Sequence, residues 1–74
     1  MGRLIRLDRT GHTTLAEWSA GDHAAREAAV RAFRHELERG MIASAPTGNG
    51  TAEVVRELPL DADLVVMRRQ IAGG

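Results

Sequence analysis

The side chains able to do chemistry in this chain are few. There are three histidines and no cysteine. His23 and His35 stand twelve positions apart, more than three turns of any helix holding both, so they cannot share an ion. His12 falls in a different segment, and no metal site is expected. Ser19 precedes His23 by four positions, but with no third group to orient the pair the serine reads as a helix cap, not a nucleophile. The stretch Pro46-Thr47-Gly48-Asn49-Gly50 lacks the lysine and the following helix of a phosphate loop and reads as a turn. No paired acid and base emerges, so no catalysis by the chain's own side chains and no cofactor are expected. What remains is the end of the sequence, Arg68-Arg69-Gln70-Ile71-Ala72-Gly73-Gly74. A chain that stops on two glycines presents a terminal carboxylate with no side chain beside it. An enzyme can thread such a tail into a narrow channel and activate the carboxylate with ATP; a frayed end has the same composition.

Size and charge bound the setting for that tail. The 74 residues make one expected domain, residues 1–74, with 68–74 as its tail. A chain of this length buries only about 60 % of its unfolded surface, so its core is small. Without cysteine there is no disulfide, and apolar packing or a partner must hold the fold. No apolar run is long enough for a signal peptide or a membrane span, and a cytoplasmic protein is the expectation. Met1-Gly2 invites a myristoylation reading, but Arg6 stands where that motif needs Ser or Thr. Ten basic residues balance ten acidic ones, which disfavours a nucleic-acid binder. Every basic residue is Arg, a pattern a GC-rich genome would produce. The consequence is chemical all the same: no side-chain amine is present to receive a second copy joined through Gly74.

The elements that must carry the tail follow from periodicity. Arg3 to Leu7 alternates as a strand, with Leu4 and Arg6 on one face and Arg3, Ile5 and Leu7 on the other. Asp8-Arg9-Thr10-Gly11 is turn chemistry. His12 to Trp18 resumes a strand with Thr13, Leu15 and Glu17 on one side and Thr14, Ala16 and Trp18 on the other, closing a hairpin. Trp18, the only tryptophan, is expected as a core or edge anchor, with an interface hot spot as the alternative. Ser19 or Asp22 can cap a helix from about His23 to Arg39, whose apolar face is Ala25, Ala29, Val30, Phe33 and Leu37. Glu27 and Arg31 have the spacing of a helical ion pair, and Gly40 suits the left-handed end. Met41 to Ala45 is a short apolar strand, Thr51 to Glu57 its hairpin partner, and Pro59 ends that run. Leu64-Val65-Val66-Met67 is apolar without alternation, which predicts a central strand buried on both faces. The order strand, strand, helix, strand, strand, strand makes an α+β domain of two layers: a mixed sheet with one helix packed across it, the last strand lying parallel to the first.

That order, with Leu60-Asp61-Ala62-Asp63-Leu64-Val65-Val66-Met67 leading to Ile71-Ala72-Gly73-Gly74, resembles the ubiquitin-like β-grasp family, in particular the prokaryotic sulfur carriers. Arg68 and Arg69 make the arm basic, which looks more like ubiquitin-type tails. The resemblance implies a carrier or protein modifier with no chemistry of its own. A partner adenylating enzyme would activate the Gly74 carboxylate, and sulfur or an acceptor amine would then displace AMP. Gly73 would give clearance, Ile71 and Ala72 would position the tail, and Arg68 and Arg69 would contact the partner. The docking surface implied is the apolar sheet face away from the helix. The competing expectation is a non-catalytic structural or interaction subunit of a larger assembly, such as a virus particle, with no nucleic acid or membrane as partner.

Overall fold

Turn chemistry sets the first hairpin. The Asp8 carboxylate accepts hydrogen bonds from the Thr10 hydroxyl (2.6 Å) and the Thr10 amide (2.8 Å). Gly11 completes the reversal at φ 120°, which a side chain would resist. In the computed structural model, which describes residues 1–46 and 50–69, this turn joins β1 (Gly2–Asp8) to β2 (Gly11–Trp18). Helix α1 (His23–Glu38) follows, then β3 (Met41–Pro46), β4 (Ala52–Val55) and β5 (Leu64–Arg69). The strands form one sheet in the order β2-β1-β5-β3-β4. Only β1 and β5 pair in parallel, with Leu4 opposite Val65 and Arg6 opposite Met67. The result is the expected α+β, β-grasp-like architecture.

Of the two candidate caps, Asp22 is the one used: its carboxylate accepts from the Ala25 amide at 3.0 Å. The Ser19 carbonyl instead accepts from the Asp22 amide, making the turn before the helix. At the other end Gly40 takes φ 89° and its amide bonds to the Leu37 carbonyl.

The core fills the single layer between helix and sheet. Leu4, Trp18, Ala29, Phe33, Ala43, Ala45, Val65 and Met67 are its buried members. Trp18 is the anchor expected: its ring lies over Gly2, and its indole N–H donates to the Leu60 carbonyl at 3.0 Å. That bond fastens the segment before β5, whose turn is closed by the Ala62 amide on the Pro59 carbonyl.

Four expectations need correcting. The alternation in β2 fails at a bulge, since Leu4 faces Ala16 but Ile5 faces Thr14. Leu15 is the extra residue. Thr13 and Thr14 therefore change faces, and both Leu15 and Ala16 reach the core. The hairpin partner of β3 is four residues, not seven. Strand β5 is central, but only Val65 and Met67 are buried, while Leu64 and Val66 are half-buried on the face with no helix. Lastly, Glu36, which lies outside the apolar helix face expected from the sequence, is buried.

The ring of Trp18 occupies the space a Cβ on Gly2 would need. Gly2→Ala is therefore expected to lower stability by about 1–3 kcal/mol, read as a shift in the urea midpoint. An unshifted midpoint would mean that the ring does not sit there. Asp8 gives a pH prediction. The Thr10 hydroxyl bond first, then the Thr10 amide bond, holds its carboxyl below the ordinary 3.8. A depressed folded pKa stabilises above the ordinary value and is lost as pH falls through the lower one. The Asp8 carboxyl carbon should titrate below 3.8 by NMR, and Thr10→Val should raise that midpoint.

Candidate functional site

The site to be built is the rim where β5 ends. In an antiparallel pair, residues directly opposite each other share a face. Ile42 faces Arg68 and Met41 faces Arg69 across β3 and β5. The two arginines therefore emerge on opposite faces of the sheet, and both are exposed. The residues expected to follow them, Ile71, Ala72, Gly73 and Gly74, lie outside the described residues.

Arg68 borders the face without a helix. The registers bring Ile5 and Leu7 of β1, Leu64 and Val66 of β5, Ile42 of β3 and Val54 of β4 onto that face. Burial within the sheet is uneven. Ile5 is covered by its neighbours, whereas Leu7 is 45 % and Val54 60 % exposed. The most exposed aliphatic side chains thus lie at the end of β1 and on the edge strand β4, while Leu64 and Val66 of the central strand are half-buried, with Arg3 and Arg68 at two ends of this face. Among the described residues the ion pair on this face is Arg3 with Glu17 at 3.6 Å.

Arg69 borders the helix face, where an ion cluster sits. Arg6 lies opposite Met67 and on the same face. Its guanidinium meets Glu36 Oε1 at 3.2 Å, while Arg39 meets Glu36 Oε2 at 3.2 Å. The Glu36 side chain is 4 % exposed; those of Arg6 and Arg39 are 29 % and 56 % exposed. One buried carboxylate thus holds two guanidiniums and satisfies both of its oxygens, as a buried charge requires. Because two cations share one anion, the cluster leaves this rim with surplus positive charge, to which Arg68 and Arg69 add.

Arg68 and Arg69 were named from the sequence and lie exposed at this rim; Arg6, Glu36 and Arg39 were not named. A signal existed. Glu36 stands three residues after Phe33 and seven after Ala29, on the apolar stripe of α1, and Arg6 alternates with Leu4 toward the same face. An acid and a base on two faces that must meet imply a buried pair. The pairing expected from helical spacing, Glu27 with Arg31, is absent: neither forms an ion pair among the described residues. The histidines stay apart, on β2 and at the two ends of α1. No cluster of three His, Cys, Asp or Glu among the described residues is placed to hold a metal. No described helix is long and apolar enough to cross a membrane. Comparison of the chain with models of known protein families, with curated proteins and with solved structures gave no match.

The cluster is testable through Glu36. Glu36→Gln keeps the shape but leaves two guanidiniums facing a neutral amide. It is expected to destabilise by about 1.5–3 kcal/mol in urea unfolding. Arg39→Ala, which removes the more exposed partner, is expected to cost under about 1 kcal/mol. Arg6→Ala, which removes the more buried partner, is expected to cost more than Arg39→Ala; equal costs would place the two arginines on the same footing.

Proposed function

We propose that this chain is a small ubiquitin-like carrier or modifier that works through a terminal Gly73-Gly74 carboxylate, activated by a partner adenylating enzyme. The supporting observation is the topology. The strand that precedes the tail is the central one, paired to β1 on one side and β3 on the other. Its exit from the sheet, at Arg69, is flanked by arginines on both faces. A central strand is held by two ladders, so the base of a tail issuing from it is fixed while a partner handles the end. The β-grasp-like fold and its resemblance to sulfur carriers and ubiquitin-type modifiers supply the chemistry.

In that chemistry a carboxylate oxygen of Gly74 attacks the α-phosphorus of ATP. An acyl-adenylate forms and pyrophosphate leaves. A sulfur nucleophile or an acceptor amine then attacks the carbonyl carbon and AMP departs. Every reactive group other than the carboxylate belongs to the partner. Here Gly73 keeps the approach to the carbonyl clear of a side chain, and Ile71 and Ala72 position the tail. Arg68 and Arg69 meet acidic groups of the adenylating enzyme, and the aliphatic sheet face of Ile42, Leu64 and Val66 docks on it. Activation draws on ATP, so the proposed role is cytoplasmic.

The test is the intact mass of the native protein from its source cells, beside a variant lacking Gly73 and Gly74. A native chain ending at Gly74 with one oxygen replaced by sulfur, or covalent adducts missing from the truncated variant, is the expected result. A native chain that continues past Gly74 overturns the proposal. So does unmodified chain held in a fixed stoichiometric complex, which would favour a structural subunit of an assembly.

A further inference from the structure

On the helix layer, opposite the aliphatic sheet face, α1 and the segment before β5 border an open, shallow groove of about 480 Å³. Val30 and Leu60 give it an apolar floor, and His23, Arg26, Glu27 and Arg31 line it. The size lies within the range of preformed ligand clefts, about 300–1,000 Å³. Two features set it apart from an incidental surface dent. First, its non-helical wall is pinned. The Leu60 carbonyl accepts the Trp18 indole N–H at 3.0 Å, and the Ala62 amide closes the turn on Pro59. Second, its charges are unspent. Among the described residues neither Arg26 nor Arg31 makes a side-chain hydrogen bond or an ion pair, although Glu27 stands four positions before Arg31. Two guanidiniums against one carboxylate leave the lining positive even with His23 neutral.

We propose that this groove is a docking site for a short acidic–aliphatic segment of a partner protein. The charge complementarity selects the occupant. Carboxylates of the segment would bond the forked donors of Arg26 and Arg31, and a neighbouring aliphatic side chain would cover Val30 and Leu60. Arginine suits such a rim because its fork can take both oxygens of a carboxylate while its methylenes extend the apolar floor. A basic segment would meet the two free guanidiniums, and a wholly polar one would leave the floor exposed. The groove lies on the layer opposite the sheet face assigned above, and the inference does not rest on the tail.

The experiment is an NMR titration of the full chain with the synthetic peptide acetyl-Asp-Leu-Glu-Asp-Leu-Glu-amide, beside a control in which Asn and Gln replace its acids. Saturating shifts centred on the amides of Val30, Arg31 and Leu60 are expected. The acidic peptide should bind roughly tenfold or more tightly than the control, since charge-assisted bonds exceed neutral ones. The double variant Arg26→Glu, Arg31→Glu should lose that preference with an unchanged circular dichroism spectrum. Leu60→Ser should weaken both peptides. Deleting Gly73 and Gly74 should change nothing, which separates this inference from the proposed function. Equal binding of the two peptides overturns it, as do shifts centred on Arg68 and Arg69 or on the aliphatic sheet face. Absence of saturation at millimolar peptide does the same. Saturation of the same amides by inorganic phosphate or ATP at lower concentration would assign the groove to a small anion instead.

Discussion

Everything in this fold hangs on one parallel pairing. Strands β1 and β5 come from opposite ends of the sequence yet lie side by side, and the Arg3 amide bonding to the Asp63 carbonyl marks where their ladder begins. Parallel neighbours cannot be joined by a tight turn, because the chain must first travel back along the sheet. That path runs through β2, which goes back beside β1, then α1, and then the β3–β4 hairpin, whose first strand closes the far side of β5. Contacts so distant in sequence carry a loop-closure cost that local structure cannot repay. The recompense comes when Leu4 meets Val65 and both are sealed under the helix.

That seal is one layer thick, which explains the attention paid to it at the edges. The fully buried side chains Phe33, Leu4, Met67 and Val65 cannot by themselves cover a sheet of five strands. Trp18 extends the core at one end and ties down the Leu60 segment. At the other end a charged cluster stands where more apolar packing would be simpler. Removing Glu36 from water has a penalty that its two guanidiniums must offset. Arg6, half sunk between Met67 and the helix, supplies the part that solvent cannot screen. The geometry fixes how α1 sits over β1, since an aliphatic contact at that point would slide and a carboxylate between two donors would not.

Much of this was legible in the sequence. The order of elements, the turn at Gly11, the helix end at Gly40, the parallel first and last strands and Trp18 as anchor all followed from local chemistry and period. The errors share one physical origin: they concern positions where neighbours in space override neighbours in sequence. The bulge at Leu15 arises because β2 must keep both Leu15 and Ala16 on the core while matching β1, and no local signal announces it. Glu36 was misread because its partner Arg6 is thirty positions away. The Glu27–Arg31 spacing was read as a pair, but solvent offers each group as much as the other does. Leu64 and Val66 were read as buried because an unbroken apolar run means two covered faces in a complete structure. Here only one face is covered by the chain itself.

That last discrepancy bears on function. A strand whose composition calls for burial on both sides, in a fold that buries one, has aliphatic surface left over at Leu64 and Val66, beside Ile42 of β3. Single exposed aliphatic residues are ordinary; here Leu64, Val66 and Ile42 share one face of neighbouring strands, with Ser44 between Val66 and Val54. A β-branched central strand could have tolerated Thr on its open face with little loss of strand propensity and better solubility. Under the proposed function, Leu, Val and Ile there serve the docking partner. The proposed groove on the helix layer would serve a different one, because its floor is small and its rim is charged. An aliphatic sheet face needs a broad apolar partner, whereas a groove needs a narrow acidic one. Because the sheet separates them, the two surfaces can be occupied together, and binding at one need not displace the other.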